Sequence, residues 1–84
     1  KKMTITYTQK QAEKIAEQYN KYAKSKISAD KVWCLWTDNA ELDMEDYGYT
    51  SIEINRFESI DGCNHTIDIH KNEIDYIPLK EELN

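Results

Sequence analysis

The stretch Ile52-Glu53-Ile54-Asn55-Arg56-Phe57-Glu58-Ser59-Ile60-Asp61-Gly62-Cys63-Asn64-His65-Thr66-Ile67-Asp68-Ile69 decides the fold. Asp61-Gly62 is a strong two-residue hairpin signal, because both central residues of a type I′ turn need positive φ. A two-residue loop there pairs residues whose numbers sum to 123. Ile54 then faces Ile69, Arg56 faces Ile67, Glu58 faces His65 and Ile60 faces Cys63, all on one apolar side. The other side pairs Glu53 with His70, Asn55 with Asp68 and Phe57 with Thr66, and it is polar enough to meet water. Downstream, Ile74 to Leu79 reads as a short last strand, placed at an edge by Pro78.

Upstream of the hairpin the pattern changes period. Apolar residues fall at Ala12, Ile15, Ala16, Tyr19, Tyr22 and Ala23, which is helical spacing along one stripe. Thr8 followed by Gln11 fits a capping box. A helix from about Gln9 to Lys24 follows, with Lys10, Lys14, Glu17, Lys21 and Lys24 on its wet face. Met3 to Tyr7 alternates β-formers and reads as a short strand or an arm. Lys31 to Thr37 is β-branched and aromatic with no breaker, so it reads as a strand. Its apolar residues occupy both parities, Val32, Cys34 and Trp36 against Trp33 and Leu35. Such a strand is either covered on both faces or offers a hydrophobic surface to a partner. Asp38 to Asp46 reads as a loop or a single helical turn, anchored by Leu42 and Met44.

The expectation is therefore one small α+β domain spanning residues 1–84, in which one N-terminal amphipathic helix packs on a three- to four-stranded antiparallel sheet, order (β)αβββ(β). Expected core residues are Ile15, Tyr19, Tyr22, Val32, Cys34, Ile52, Ile54, Ile67 and Ile69. A chain of 84 residues buries roughly 60% of its unfolded surface, so its core is thin. The start Lys1-Lys2-Met3 has no apolar h-region, and no apolar run reaches the ~20 residues of a membrane span. A cytoplasmic location is the expectation, with Cys34 and Cys63 as free, buried thiols. One bridge between them stays open if the strands that carry them are neighbours.

Charge divides along the chain. Residues 1–37 hold eight lysines against Glu13, Glu17 and Asp30, a balance of +5. Residues 38–84 hold thirteen carboxylates against Arg56, Lys71 and Lys80, a balance of −10, and the whole chain carries −5. Only the helix is basic, through Lys10, Lys14, Lys21, Lys24 and Lys26, and Arg, the better base reader, is missing before position 56. Direct nucleic-acid binding is therefore not expected.

Chemistry-bearing sets are few. Cys34, Cys63, His65 and His70 are zinc-ligand types, yet the hairpin register puts His70 on the opposite face from Cys63 and His65. Cys63, His65 and Glu58 form a Cys–His–acid set on paper, but Cys63 opens a strand instead of a helix N-terminus. Asp38–Asp46 lacks the glycine and the terminal glutamate of an EF-hand loop. No metal, cofactor or catalytic residue is assigned.

Protein binding fits the residues best. Asp38, Glu41, Asp43, Glu45 and Asp46 lie beside Tyr47 and Tyr49, and Glu53 and Asp68 lie on the polar sheet face. These nine are the candidate partner-binding residues. Carboxylates spaced along strands and loops imitate the phosphate rows of a duplex, so the expected partner is a host or cellular protein with a basic surface. Two alternatives remain: a structural or homodimeric module that buries residues 31–37, and a small nucleic-acid- or zinc-binding protein.

In length, in Lys/Ile/Asn/Tyr/Glu-rich usage with two glycines and one proline, in the acidic run Asp38–Asp46 and in the tail Leu79-Lys80-Glu81-Glu82-Leu83-Asn84, the chain resembles the small acidic proteins of bacteriophages and mobile elements, the anti-CRISPR proteins and other host-enzyme inhibitors among them. The resemblance is one of type and carries no motif. It implies a non-catalytic protein that binds one host protein, often by blocking its nucleic-acid site. The basic helix departs from the fully acidic members.

Overall fold

The computed structural model describes residues 5–77. Strand β1, Ile5–Thr6, enters helix α1, Gln9–Tyr22. Both halves of the expected capping box are present. Gln11 N donates to Thr8 Oγ1 at 3.2 Å, and Thr8 N donates to Gln11 Oε1 at 2.9 Å. Ala12, Ile15 and Ala16 are buried, while Tyr19 and Tyr22 pack half-buried at the edge of the core. The helix stops at Tyr22 because the next turn bonds elsewhere. Lys26 Nζ caps the free carbonyls of Asn20 and Ala23, at 2.7 and 3.0 Å. The Asn20 amide clamps both backbone groups of Ile27, each at 2.8 Å.

The strand expected at Lys31–Thr37 does not form. Ala29–Leu35 is a 3₁₀ helix instead. The apolar run obeys a period of three as well as a period of two. In a 3₁₀ helix residues i and i+3 share a face, and Ala29, Val32 and Leu35 turn inward together. Val32 is fully buried, while Trp33 and Cys34 lie outside, so Cys34 is not a core residue.

The acidic segment is more ordered than a loop or one turn. It contains helix α2, Ala40–Tyr47, whose Ala40 and Met44 are wholly buried. Glu41 and Asp43 sit in its first turn, where the helix dipole favours carboxylates. Gly48, at φ 80°, ends it in the left-handed conformation, and its N–H donates to Met44 O at 3.1 Å.

Strands β2, Tyr49–Ile54, and β3, His65–His70, then pair antiparallel. Their register differs from the expected one. Ile54 faces His65, not Ile69, so the pairing slides by four residues and the connection spans residues 55–64. The cause lies at Asn55. Its Oδ1 accepts the N–H of Phe57 and of Glu58, at 2.9 and 3.2 Å, and its O accepts Glu58 N and Ser59 N. That turn ends β2 before Arg56 can join the ladder. Asp61-Gly62 does turn, with Gly62 at φ 76°, but inside the longer loop. A slip of an even number leaves every side chain on its expected face. Ile52, Ile54, Ile67 and Ile69 are all buried, as expected.

A 3₁₀ turn, Lys71–Glu73, leads to β4, Asp75–Tyr76, which pairs antiparallel with β1. Met3, Pro78 and Leu79 lie outside the described residues. The fold is α+β, with two two-stranded antiparallel sheets in place of a single sheet. Its core joins α1, the first 3₁₀ helix, α2 and the inner face of β2–β3.

Candidate partner-binding cleft

Five segments converge on an open cavity of about 600 Å³. Helix α1 brings Tyr19, the 3₁₀ helix brings Cys34 and Leu35, and α2 brings Asp43 and Tyr47. Strand β2 contributes Tyr49, Ser51 and Glu53, and the 55–64 loop contributes Glu58. The lining therefore holds three carboxylates and three tyrosines, and no Lys, Arg or His. Alternation along β2 places Tyr49, Ser51 and Glu53 on the face away from the isoleucine core. Thr50 is buried, and its hydroxyl donates to Asp43 Oδ2 at 3.3 Å, which fixes α2 against β2.

The nine candidate residues divide. Asp43, Tyr47, Tyr49 and Glu53 line the cavity. Tyr47 is 70% exposed and Leu42, on the same helix, 54%. Asp38 and Asp46 are exposed at the two ends of α2 and line no part of the cavity. Glu45 accepts the hydroxyl of Tyr76 at 2.6 Å. Partial burial first, and then the Glu45 carboxylate, holds that phenol well above its ordinary range. Glu41 is buried, at 5% exposure. Asp68 is exposed and accepts Ser51 Oγ at 2.7 Å across the β2–β3 pair.

The sequence did not single out Tyr19, Cys34 or Glu58 for this site. Tyr19 sits at the margin of the α1 stripe, which is a readable sign of a half-exposed ring. Glu58 was hidden by the hairpin register, which placed it in a strand.

The expected histidine pairs are replaced. His65 meets Asp61 and not Glu58, with Nε2 2.9 Å from Oδ1. His70 lies against Tyr49, ring centroids 5.4 Å apart, and not against Glu53. Cys34 and Cys63 form no disulfide and are both exposed, which corrects the expectation of buried thiols. Among the described residues no group of three His, Cys, Asp or Glu side chains is disposed to hold a metal, and no helix is long and apolar enough to cross a membrane.

A second concavity, of about 350 Å³, is apolar. Ile5, Thr6, Tyr7, Trp33 and Trp36 line it. Trp33 is 61% exposed, and Tyr7 and Trp36 pack with ring centroids 6.3 Å apart.

Comparison with protein-family models, with curated proteins and with solved structures finds no match.

Proposed function

We propose that the chain is a non-catalytic binding module whose acidic, tyrosine-lined cleft takes basic side chains from a partner protein. The observation that carries the reading is the composition of the cleft, with Asp43, Glu53 and Glu58 beside Tyr19, Tyr47 and Tyr49 and no cation among them. A guanidinium suits that lining in two ways. It bonds carboxylates with a planar fork of donors, and it stacks on tyrosine faces for about 0.5–2 kcal/mol, depending on desolvation. Exposed Leu42 and Tyr47 on α2 add apolar anchors beside the charges. The remaining carboxylates, Asp38, Glu45, Asp46 and Asp68, steer a basic surface toward the cleft. A partner whose basic surface ordinarily holds nucleic acid would be blocked by such contact. That is the inhibitor behaviour implied by the resemblance to small phage and mobile-element proteins.

The test is retention of lysate proteins on immobilised wild type beside a Glu53→Lys/Glu58→Lys variant. Both positions are exposed, so the variant keeps the core. A basic protein held by wild type alone supports the reading. Equal retention by both rejects it.

A second reading has its own observation. The apolar concavity around Trp33 replaces the expected two-faced strand as a surface for self-association. Sedimentation decides it: a dimer lost in Trp33→Ser supports self-association, and a monomer at all concentrations excludes it.

A further inference from the structure

The 55–64 loop docks on the end of α1. Ile60 N donates to Tyr22 O and Lys24 N donates to Glu58 O, both at 2.8 Å. Between them Ser59 bridges to Ala23 and is fully buried. The last carbonyls of a helix have no partner within it, so a loop that donates to one is a natural closure. A side-chain layer lies over this backbone seam. The His65 imidazole stacks on the Tyr22 ring, with centroids 4.2 Å apart and planes at 20°. Its Nε2 lies 2.9 and 3.0 Å from the two Asp61 oxygens. Asp61 Oδ1 also accepts Cys63 N, at 3.0 Å. One imidazole thus touches α1 with its face and the loop with its edge.

The charged groups around this ring come from three elements. The loop supplies Asp61, and β2 supplies Glu53, which lines a small cavity with His65, Asn55 and Asn64. Helix α1 supplies Lys21, whose Nζ is 5.5 Å from the centroid of the Tyr22 ring. Of the three, Asp61 is the one bonded to the ring. The bond from His65 first, and then the Cys63 N–H, holds the Asp61 carboxyl below its usual range. Asp61 is therefore an anion from mildly acidic pH upward.

We infer that His65 is a pH-sensitive latch, its protonated ring clamping Asp61 and the 55–64 loop against the end of α1 and its deprotonation loosening them. With the ring protonated, the bond joins two ions and is charge-assisted. Above it, a neutral ring makes an ordinary hydrogen bond. Hold on the loop is greatest at mildly acidic pH and falls as pH rises through neutrality. It falls a second time on strong acidification, once Asp61 itself is protonated. The loop carries Glu58, so the latch sets one wall of the cleft. The latch stands on its own geometry and does not depend on what the cleft binds.

Native-state amide exchange tests it. Protection factors for Lys24 and Ile60, corrected for intrinsic rates, are measured from pH 5.5 to 8 against the β2–β3 ladder amides. The expected result is an about two- to fivefold fall with rising pH, the range of an exposed ion pair. The fall should be absent in His65→Gln and in Asp61→Asn. Both variants keep His70, which faces Tyr49 on the opposite side of the sheet, as an internal control. Should His65→Gln fail to fold, Asp61→Asn alone decides, because it keeps the titrating ring and removes its anion. Protection that does not change with pH in the wild type, or an equal fall in Asp61→Asn, overturns the latch.

Discussion

The hydroxyl of Thr50, 2% exposed, donates to Asp43 Oδ2 at 3.3 Å and joins β2 to α2 beside the cleft. A buried donor bonded to a carboxylate does two jobs. It satisfies the hydroxyl, and it aims the carboxylate that lines the cavity. Thr50→Val keeps the shape and removes the donor. The expected cost is about 1.5–3 kcal/mol, the range for bonds to charged groups. Thermal unfolding should shift down by several degrees, and any binding through Asp43 should weaken with it.

Helix α2 has one face for the fold and another for a partner. Met44 is wholly buried, while Leu42 is 54% exposed. Met44→Ala should cost about 2–5 kcal/mol by denaturant titration. Leu42→Ala should stay within about 0.5 kcal/mol of wild type and still lower affinity for a captured partner. The opposite order would mean that α2 is turned the other way.

Tyr76 should make the fold sensitive to alkali. Its phenol is raised above the ordinary value near 10, so the folded state holds that proton more tightly than the unfolded chain does. The resulting stability is fully present below pH ~10 and is lost as pH rises beyond it. Tyr76→Phe removes the bond to Glu45 and this dependence together. The stability gap between wild type and variant should hold up to pH ~10 and narrow above it, as read by urea unfolding at each pH.

Both thiols should react in the native state. Cys34 and Cys63 are exposed and outside any disulfide, so a disulfide-exchange reagent should titrate two thiols without denaturant. Modification of Cys34, which lines the cleft, should compete with a bound partner, while modification of Cys63 should not.

What the sequence carried well was local. Thr8 and Gln11 are three residues apart, and both of their bonds form. The isoleucines of β2 and β3 repeat every second residue, and a slip of four residues leaves that alternation untouched. What it carried poorly depended on distant contacts. Asp61-Gly62 announces a turn, but Asn55 and the free end of α1 at Tyr22 decide where the strands stop. The apolar residues of 29–36 fit a strand or a 3₁₀ helix equally, and the packing of buried Val32 with half-buried Ala29 and Leu35 on one face settles the choice. The site followed the same division. Asp43, Tyr47, Tyr49 and Glu53 are close in sequence and were legible. Tyr19, Cys34 and Glu58 reach the same cavity from elsewhere in the chain and were not.

The most direct test of the central claim is amide chemical-shift mapping with an arginine-rich peptide in physiological salt, where diffuse surface attraction is screened within ~8 Å. The account predicts saturable shifts clustered at Tyr19, Tyr47, Tyr49, Glu53 and Glu58, lost in Glu53→Gln/Glu58→Gln. Shifts spread over Asp68 and Asp75, or centred on Trp33, would contradict a cleft built to take basic side chains.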